Sequence, residues 1–388
     1  MISFSNTQIA FSGKSNADLN RSYLLFKLLS RPSLVNVGSN LTLWAIKMHL
    51  PIKWAVKKTI FKQFCGGESI DDCTEAINKL GDFHIGAILD YSVEGKETDK
   101  AFDATTQETL RTIVKATQSN HIPFCVFKVT GVAPFDLLEK ITAGKSLTDA
   151  ETASKIRVIE RIDKLCGAAA QAGIPIFIDA EETWIQQAID DLADMMMAKY
   201  NQQKVIVYNT FQLYRKDRLS FLQKSVEKGV KSGYKVGAKL VRGAYMEKER
   251  ERAKQMGYPS PIQDSKADTD RDYDAALLYS VKNLDKVSIC AGTHNEESSL
   301  QLTKLMDEYK IQHNDKRIFY SQLFGMSDNL SYNLANEGYN VAKYLPYGPV
   351  KETLPYLIRR AQENTSVEGQ TGRELSLIIK EKNRRKNS

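Results

Sequence analysis

From residue 83 onward the chain alternates between short, almost unbroken apolar runs and longer stretches with one charged face. The runs are FHIGAILD (83–90), PFCVFKVT (123–130), IPIFID (174–179), KVIVYN (204–209), YKVGAKLV (234–241), KVSICA (286–291), KRIFY (316–320) and YNVAKY (339–344). Near-continuous Val, Ile and Phe is what strands buried on both faces require, since neither face needs polar residues. The stretches between them, such as 151–172 and 183–199, have the length and charge pattern of helices. Eight such alternations over about 260 residues predict a (β/α)8 barrel of the TIM type. A doubly wound open sheet shares the pattern, but no GxGxxG follows the first run to support a nucleotide crevice of that kind.

Residues 17–80 carry a different rhythm. Leu24, Leu25, Leu28 and Leu29 recur at helical spacing, and Pro32, Pro51 and Gly66–Gly67 interrupt. The expected organisation is a helical arm over 1–80, a catalytic barrel over 81–364 and a basic tail over 365–388. His49 sits in an apolar helical stretch and reads as a packed or surface residue, not a ligand. The apolar stretch 41–61 is broken by Lys47, His49, Pro51, Lys53, Lys57 and Lys58, so it does not read as a bilayer-spanning helix.

Composition narrows the function classes. Of 388 residues, 42% are hydrophobic and 26% charged, as in ordinary globular proteins with a large core. The formal charge of +7 is concentrated in KEKNRRKNS (380–388), which holds five basic residues and one acid. A nucleic-acid partner, which wants a basic stripe on a folded face, is therefore not expected. The tail reads as a loose, solvated terminus that offers a route to peripheral contact with an anionic membrane. Five scattered cysteines, none in CxxC spacing, read as reduced core residues of a cytoplasmic-type compartment, and no targeting segment is evident at the N-terminus. Besides His294, the other histidines fall at strand starts or outside the barrel pattern, so no metal site is expected.

Catalytic groups of a barrel gather at the C-terminal ends of its strands. Those ends carry Lys128 and Thr130, then Asp179 with Glu181 and Glu182, then Gln212, then Lys239, Val241, Arg242, Gly243 and Tyr245. Thr293 and His294, Gln322 and Tyr344 complete the set on the last three strands. Each has a plainer reading: Lys128 as a strand-end lysine reaching solvent, the acids as helix caps, His294 as a cap neighbour. Arg242 followed by Gly243 suits close approach of a phosphate, with the next helix adding its N-terminal dipole. The link from the fifth to the sixth run is long and should hold two helical pieces. Past Pro346–Gly348–Pro349 comes a helix with Tyr356 and Arg360 four apart and Arg359 and Glu363 four apart, so these side chains share a surface. Arg359 and Arg360 make either a wet helix face or a carboxylate-sized fork of donors.

The segments FIDAEE, YNTFQLYRKDRL, KLVRGAYMEKERERA, GTHNEES, YSQLFGMSDNLS and KYLPYGPVKETLPYLIRRAQEN, collinear over about residues 83–364, closely resemble those of proline dehydrogenases. The resemblance implies a distorted (β/α)8 barrel holding FAD at the strand C-termini, with the last helix over the barrel mouth. It implies oxidation of L-proline to Δ1-pyrroline-5-carboxylate, with electrons passed to a quinone, in a protein at most peripheral on the inner face of a membrane. On this resemblance the substrate positions are Lys128, Asp179, Tyr245, Tyr344, Tyr356, Arg359 and Arg360. The flavin positions are Gln212, Lys239, Val241, Arg242, Gly243, Thr293, His294, Gln322 and Glu363. Some relatives have Arg at the place of Lys239, and Trp at the place of Met246. A tyrosine at Tyr344 suits unsubstituted proline, because its hydroxyl would crowd a 4-hydroxyl group. Two alternatives stay open: a hydroxyproline dehydrogenase of the same family, and a barrel lyase forming a Schiff base at Lys128.

Overall fold

The structure is a computed structural model that describes residues 2–31, 33, 35, 53–93, 97–366 and 370–387, with the side chains of 362–366, 370 and 371 outside that description. His49, Pro32 and Pro51 fall outside the described residues. The strands are β1 (Ile85–Tyr91), β2 (Cys125–Lys128), β3 (Ile176–Asp179), β4 (Val207–Gln212), β5 (Val236–Val241), β6 (Val287–Gly292), β7 (Ile318–Leu323) and β8 (Val341–Tyr347). They form one parallel sheet in the order β1-β8-β7-β6-β5-β4-β3-β2, a nearly closed barrel in which helices connect successive strands. This is the (β/α)8 fold that the alternation of runs predicts. The β5 to β6 link holds two helices, Met246–Met256 and Lys266–Lys282, as expected.

The chain divides into two compact units, 1–94 with 322–388, and 95–321. Within the second unit, β3 and β4 are buried at every position, which explains why their sequences lack polar alternation. Phe124, Phe177 and Tyr208 pack ring against ring there, with centroids 4.4 to 5.5 Å apart. The helix Asp149–Ala172 starts from a Thr148/Glu151 capping box and stops at Gly173, whose φ of +71° is open to glycine at little cost.

Within the first unit, the helix Val350–Ser366 buries Val350, Leu354, Leu357 and Ala361 in an apolar cluster with Phe11, Phe26, Phe61 and Phe64 of the N-terminal segment. The helix Asn16–Leu29 begins at a Ser15/Asp18 capping box. Its leucines divide: Leu29 is buried, while Leu24 and Leu28 are exposed. Two expectations are corrected in this unit. Strand β8 does not end at Tyr344 but continues through Pro346 to Tyr347. The carbonyl of Pro346 accepts from Gly66 N–H at 2.8 Å, on the side away from β1, where β7 has already ended. A missing N–H on that side breaks no ladder bond, so the proline is tolerated.

The basic segment is likewise not a loose tail. It is a helix, Gln370–Lys386, packed on Asn16–Leu29, with Leu377 and Ile378 buried. Arg385 donates to the carbonyls of Phe11 and Lys14 at 2.8 Å, and the buried Glu381 pairs with both Arg384 and Arg385. An apolar stripe plus internal neutralisation makes docking more favourable than solvation. No helix of the described residues is long and apolar enough to cross a membrane.

Candidate active site

In the second unit the strand ends assemble as two clusters. Lys128 ends β2 in register with Asp179, the last residue of β3. Asp179 forms an ion pair with Lys239 of β5, both buried, and the Lys239 ammonium also lies 5.5 Å from the Phe177 ring centre. Breaking a buried pair by removing one partner leaves an uncompensated group away from water, so the contact fixes both side chains. Burial pushes the neighbouring Cys290 thiol up to about 11, so it is present as the unreactive thiol.

The second cluster centres on Arg242. Its guanidinium donates to Asp270 at 2.8 Å, to the Thr293 hydroxyl at 2.7 Å and to the Ser298 hydroxyl at 3.0 Å, and it stacks 4.4 Å over the Tyr273 ring. A planar fork satisfied at three points has one orientation. Gly243 follows with φ +136°, and a Cβ there would lie 2.4 Å from the Tyr214 ring, so the close approach of this turn to Tyr214 demands glycine. Tyr245 is the N-cap of the helix Met246–Met256. His294 lies between β6 and the helix Glu296–Glu308. It directly precedes the N-cap Asn295, which accepts from Ser298 N–H, so it is the cap neighbour that its plainer reading describes.

The helix-cap reading of the acids holds for the position of Glu182 but not for its side chain. Glu182 is the N-cap of Thr183–Tyr200 but makes no side-chain cap bond. Glu181 instead receives both the backbone N–H (3.0 Å) and the hydroxyl (2.6 Å) of Thr130, while Gln212 donates to the Glu181 carbonyl at 2.7 Å. Burial is the largest influence on the Glu181 carboxyl and raises it to about 7, against the lowering by the Thr130 donors and Lys128.

The first unit carries the remaining positions. Gln322 accepts from the Ser331 hydroxyl at 2.8 Å and is buried. Tyr344 is buried within β8, with its carbonyl accepting from Phe324 N–H at 2.8 Å. Arg360 is only 9% exposed and sits 5.4 Å from the ring centre of Tyr356, one turn earlier, which rules against a solvated helix face for that residue. Arg359 beside it is half-buried. The Glu363 side chain lies outside the described residues.

Comparison with known proteins identifies the family. A proline dehydrogenase family model matches residues 73–373. The chain belongs to the proline dehydrogenase family. It is 32% identical to "Proline dehydrogenase 1, mitochondrial" of Dictyostelium discoideum over 98% of this chain and 74% of that protein. It is 29% identical to "Hydroxyproline dehydrogenase" of Xenopus laevis over 99% of this chain and 90% of that protein. Among solved structures it is similar to proline utilization A from Bdellovibrio bacteriovorus, with a TM-score of 0.73 at 19% identity. That match covers 93% of this chain and 38% of the larger chain, so it speaks to the barrel fold alone. Membership of the family makes this chain an oxidoreductase of proline metabolism.

Several buried charged residues carry no local signal in the sequence. Glu249 is one: it is fully buried, yet lies in a run of exposed charges. Lys343 and Asp328 are others, a buried ion pair at 2.7 Å. Their partners are chosen by strand register and helix docking, which no short window of sequence contains.

Proposed function

We propose that this member of the proline dehydrogenase family oxidises L-proline to Δ1-pyrroline-5-carboxylate with FAD as the hydride acceptor, and passes the electrons to a quinone. The family match carries this reading, and it favours an oxidoreductase over a Schiff-base lyase at Lys128. The donor set suits a flavin dinucleotide. Gly243 presents backbone that a Cβ would obstruct, Arg242 is a pre-oriented cation, and Gln212, Lys239, Thr293, His294 and Gln322 offer amide, ammonium, hydroxyl and imidazole donors. Val241 would add an apolar wall and Glu363 an acceptor. When bound, FAD supplies the two-electron acceptor that no protein side chain provides.

The chain's own residues have three tasks in this reading. Arg359 and Arg360 bind the substrate carboxylate with charge-assisted bonds. Tyr245, Tyr344 and Tyr356 shape a slot for the apolar ring, with Tyr344 crowding a 4-hydroxyl and so favouring proline over hydroxyproline. Lys128 and the Asp179–Lys239 pair set the local charge. Because that pair is internally neutral, it leaves the zwitterion's carboxylate to the arginines. Proline must lose its amine proton before hydride leaves C5, since the nitrogen lone pair drives the departure. Orientation of C5, together with exclusion of water, is then the protein's contribution.

The purified protein should be yellow after addition of FAD, absorbing between about 350 and 480 nm. Proline with a dye acceptor should be turned over faster than 4-hydroxyproline at equal concentration. A protein that neither binds FAD nor reduces the dye with proline would sink this reading, whereas preference for hydroxyproline would correct only its substrate. Contact with a membrane, where a quinone resides, would be peripheral. Removal of 380–388 should lower association with anionic vesicles if that basic segment contributes, and unchanged sedimentation would exclude it.

A further inference from the structure

Two carboxylates in the segments that follow β3 and β5 repeat one motif. Glu181 takes the N–H and hydroxyl of Thr130, and Glu249 takes the N–H (2.7 Å) and hydroxyl (2.6 Å) of Thr183. Each is a bidentate clasp between segments that follow different strands: β3 holds the turn after β2, and the helix after β5 holds the segment after β3. The second clasp also explains a structural oddity. The helix Thr183–Tyr200 gets no cap from its own Glu182, whose carboxylate is engaged by Lys248. Glu249 supplies the missing anion from 66 residues away, at the positive end of the helix dipole. Its own N–H donates to the Tyr245 carbonyl at 2.9 Å, so the clasp connects directly to the Tyr245 turn. Arg252, one turn later, stacks 4.3 Å over Trp184 and pairs with Glu139, a second hold by the helix Met246–Met256 on the start of Thr183–Tyr200.

Both clasps are close in sequence to proposed substrate positions: Lys128 is two residues before Thr130, Asp179 two before Glu181, and Tyr245 four before Glu249. We propose that Glu181 and Glu249 are positioning residues whose linked clasps hold Lys128, Asp179 and Tyr245 as one rigid set for the substrate. The inference rests on the functional reading above for what the set binds. The clasps' mechanical coupling is independent of that reading. Neither carboxylate contacts substrate; each acts through a threonine and the backbone.

The test uses Thr183→Val, which removes the hydroxyl but keeps the N–H and the side-chain shape, Thr183→Ser, which keeps both donors, and Glu249→Ala. The full-length protein is assayed for proline KM and kcat, FAD Kd by titration, melting temperature, and amide hydrogen exchange over 243–248. Thr183→Val and Glu249→Ala should raise KM by about tenfold, the scale of one hydrogen bond to a charged group, and speed exchange over 243–248. Thr183→Ser should restore both. Should Glu249→Ala fail to fold, Thr183→Val decides, because it leaves one clasp bond in place. The proposal is overturned if KM and exchange stay at wild-type values in Thr183→Val, or if Thr183→Ser is as impaired as Thr183→Val. It is also overturned if only the melting temperature changes, since the clasp is then purely structural. Failure of the wild-type protein to oxidise proline would instead strike the functional reading. In that event faster exchange in Thr183→Val, absent from Thr183→Ser, still supports the coupling and its absence refutes it.

Discussion

Replacing Asp328 with Ala is expected to destabilise the protein by about 3–5 kcal/mol, because it strands a buried ammonium. Lys343 is 1% exposed on β8, 2.7 Å from Asp328, and it also donates to the carbonyls of Met326 at 2.6 Å and Leu323 at 3.5 Å. Lys14 reaches the second Asp328 oxygen at 2.8 Å. Burial alone would raise the Asp328 carboxyl, but the two ammoniums win and hold it at about 2, below the ordinary 3.8. A carboxyl depressed in the folded state stabilises fully above its ordinary value and loses that contribution as pH falls. The Asp328 share of stability is therefore present above pH 3.8 and disappears as pH drops through about 2. Chemical denaturation at neutral pH checks the substitution. Asp328→Ala with Lys343→Met should recover much of the loss, since an apolar replacement of both partners removes the uncompensated charge. A single variant within about 1 kcal/mol of wild type would show that Lys343 sheds its proton or finds another partner. Because Lys343 precedes Tyr344, loss of the pair should also disturb the proposed substrate slot.

Replacing Arg359 or Arg360 with Ala should weaken proline binding by roughly 10- to 150-fold, the equivalent of about 1.5–3 kcal/mol for a hydrogen bond to a charged group. The carboxylate does not change during hydride loss, so its contacts bind ground state and transition state alike. The loss should appear in KM with kcat largely kept. Lys at either position restores charge but not the planar fork, and should recover only part of the affinity. Steady-state assay with a dye acceptor separates the two parameters. Normal KM in either Ala variant would show that its guanidinium does not hold the carboxylate. Arg360 is buried over Tyr356, so its variant should be compared at matched thermal stability. Arg359 is more open and gives the cleaner measurement.

The wet-face alternative for the arginine pair shows where local reading stops. Sequence placed Tyr356 and Arg360 on one helical surface, which their 5.4 Å approach bears out, but could not say whether that surface meets solvent. The same limit applied to the basic C-terminal segment. Its charge was plain, while the burial of Leu377 and Ile378 against another helix was not. The reading of Pro346 as a strand end failed because a proline's missing N–H matters only when a neighbouring strand needs it. Register decides that, not composition.

By itself, the sequence determined the eight strands, their order, the barrel and the polar strand ends, because strand and helix periodicity is written within windows of ten to twenty residues. It also carried the family, through collinear motifs. Only the tertiary structure decided which carboxylates are buried and what they hold. Glu249 differs from exposed Glu247 and Glu251 by nothing local, and is set apart by the docking of its helix against Thr183. Asp328 and Lys343 become a buried pair because the first turn of the helix Asp328–Asn336 and strand β8 converge. Desolvation and pairing depend on neighbours supplied from far along the chain, and it is those neighbours that turn ordinary charged residues into fixed parts of the structure.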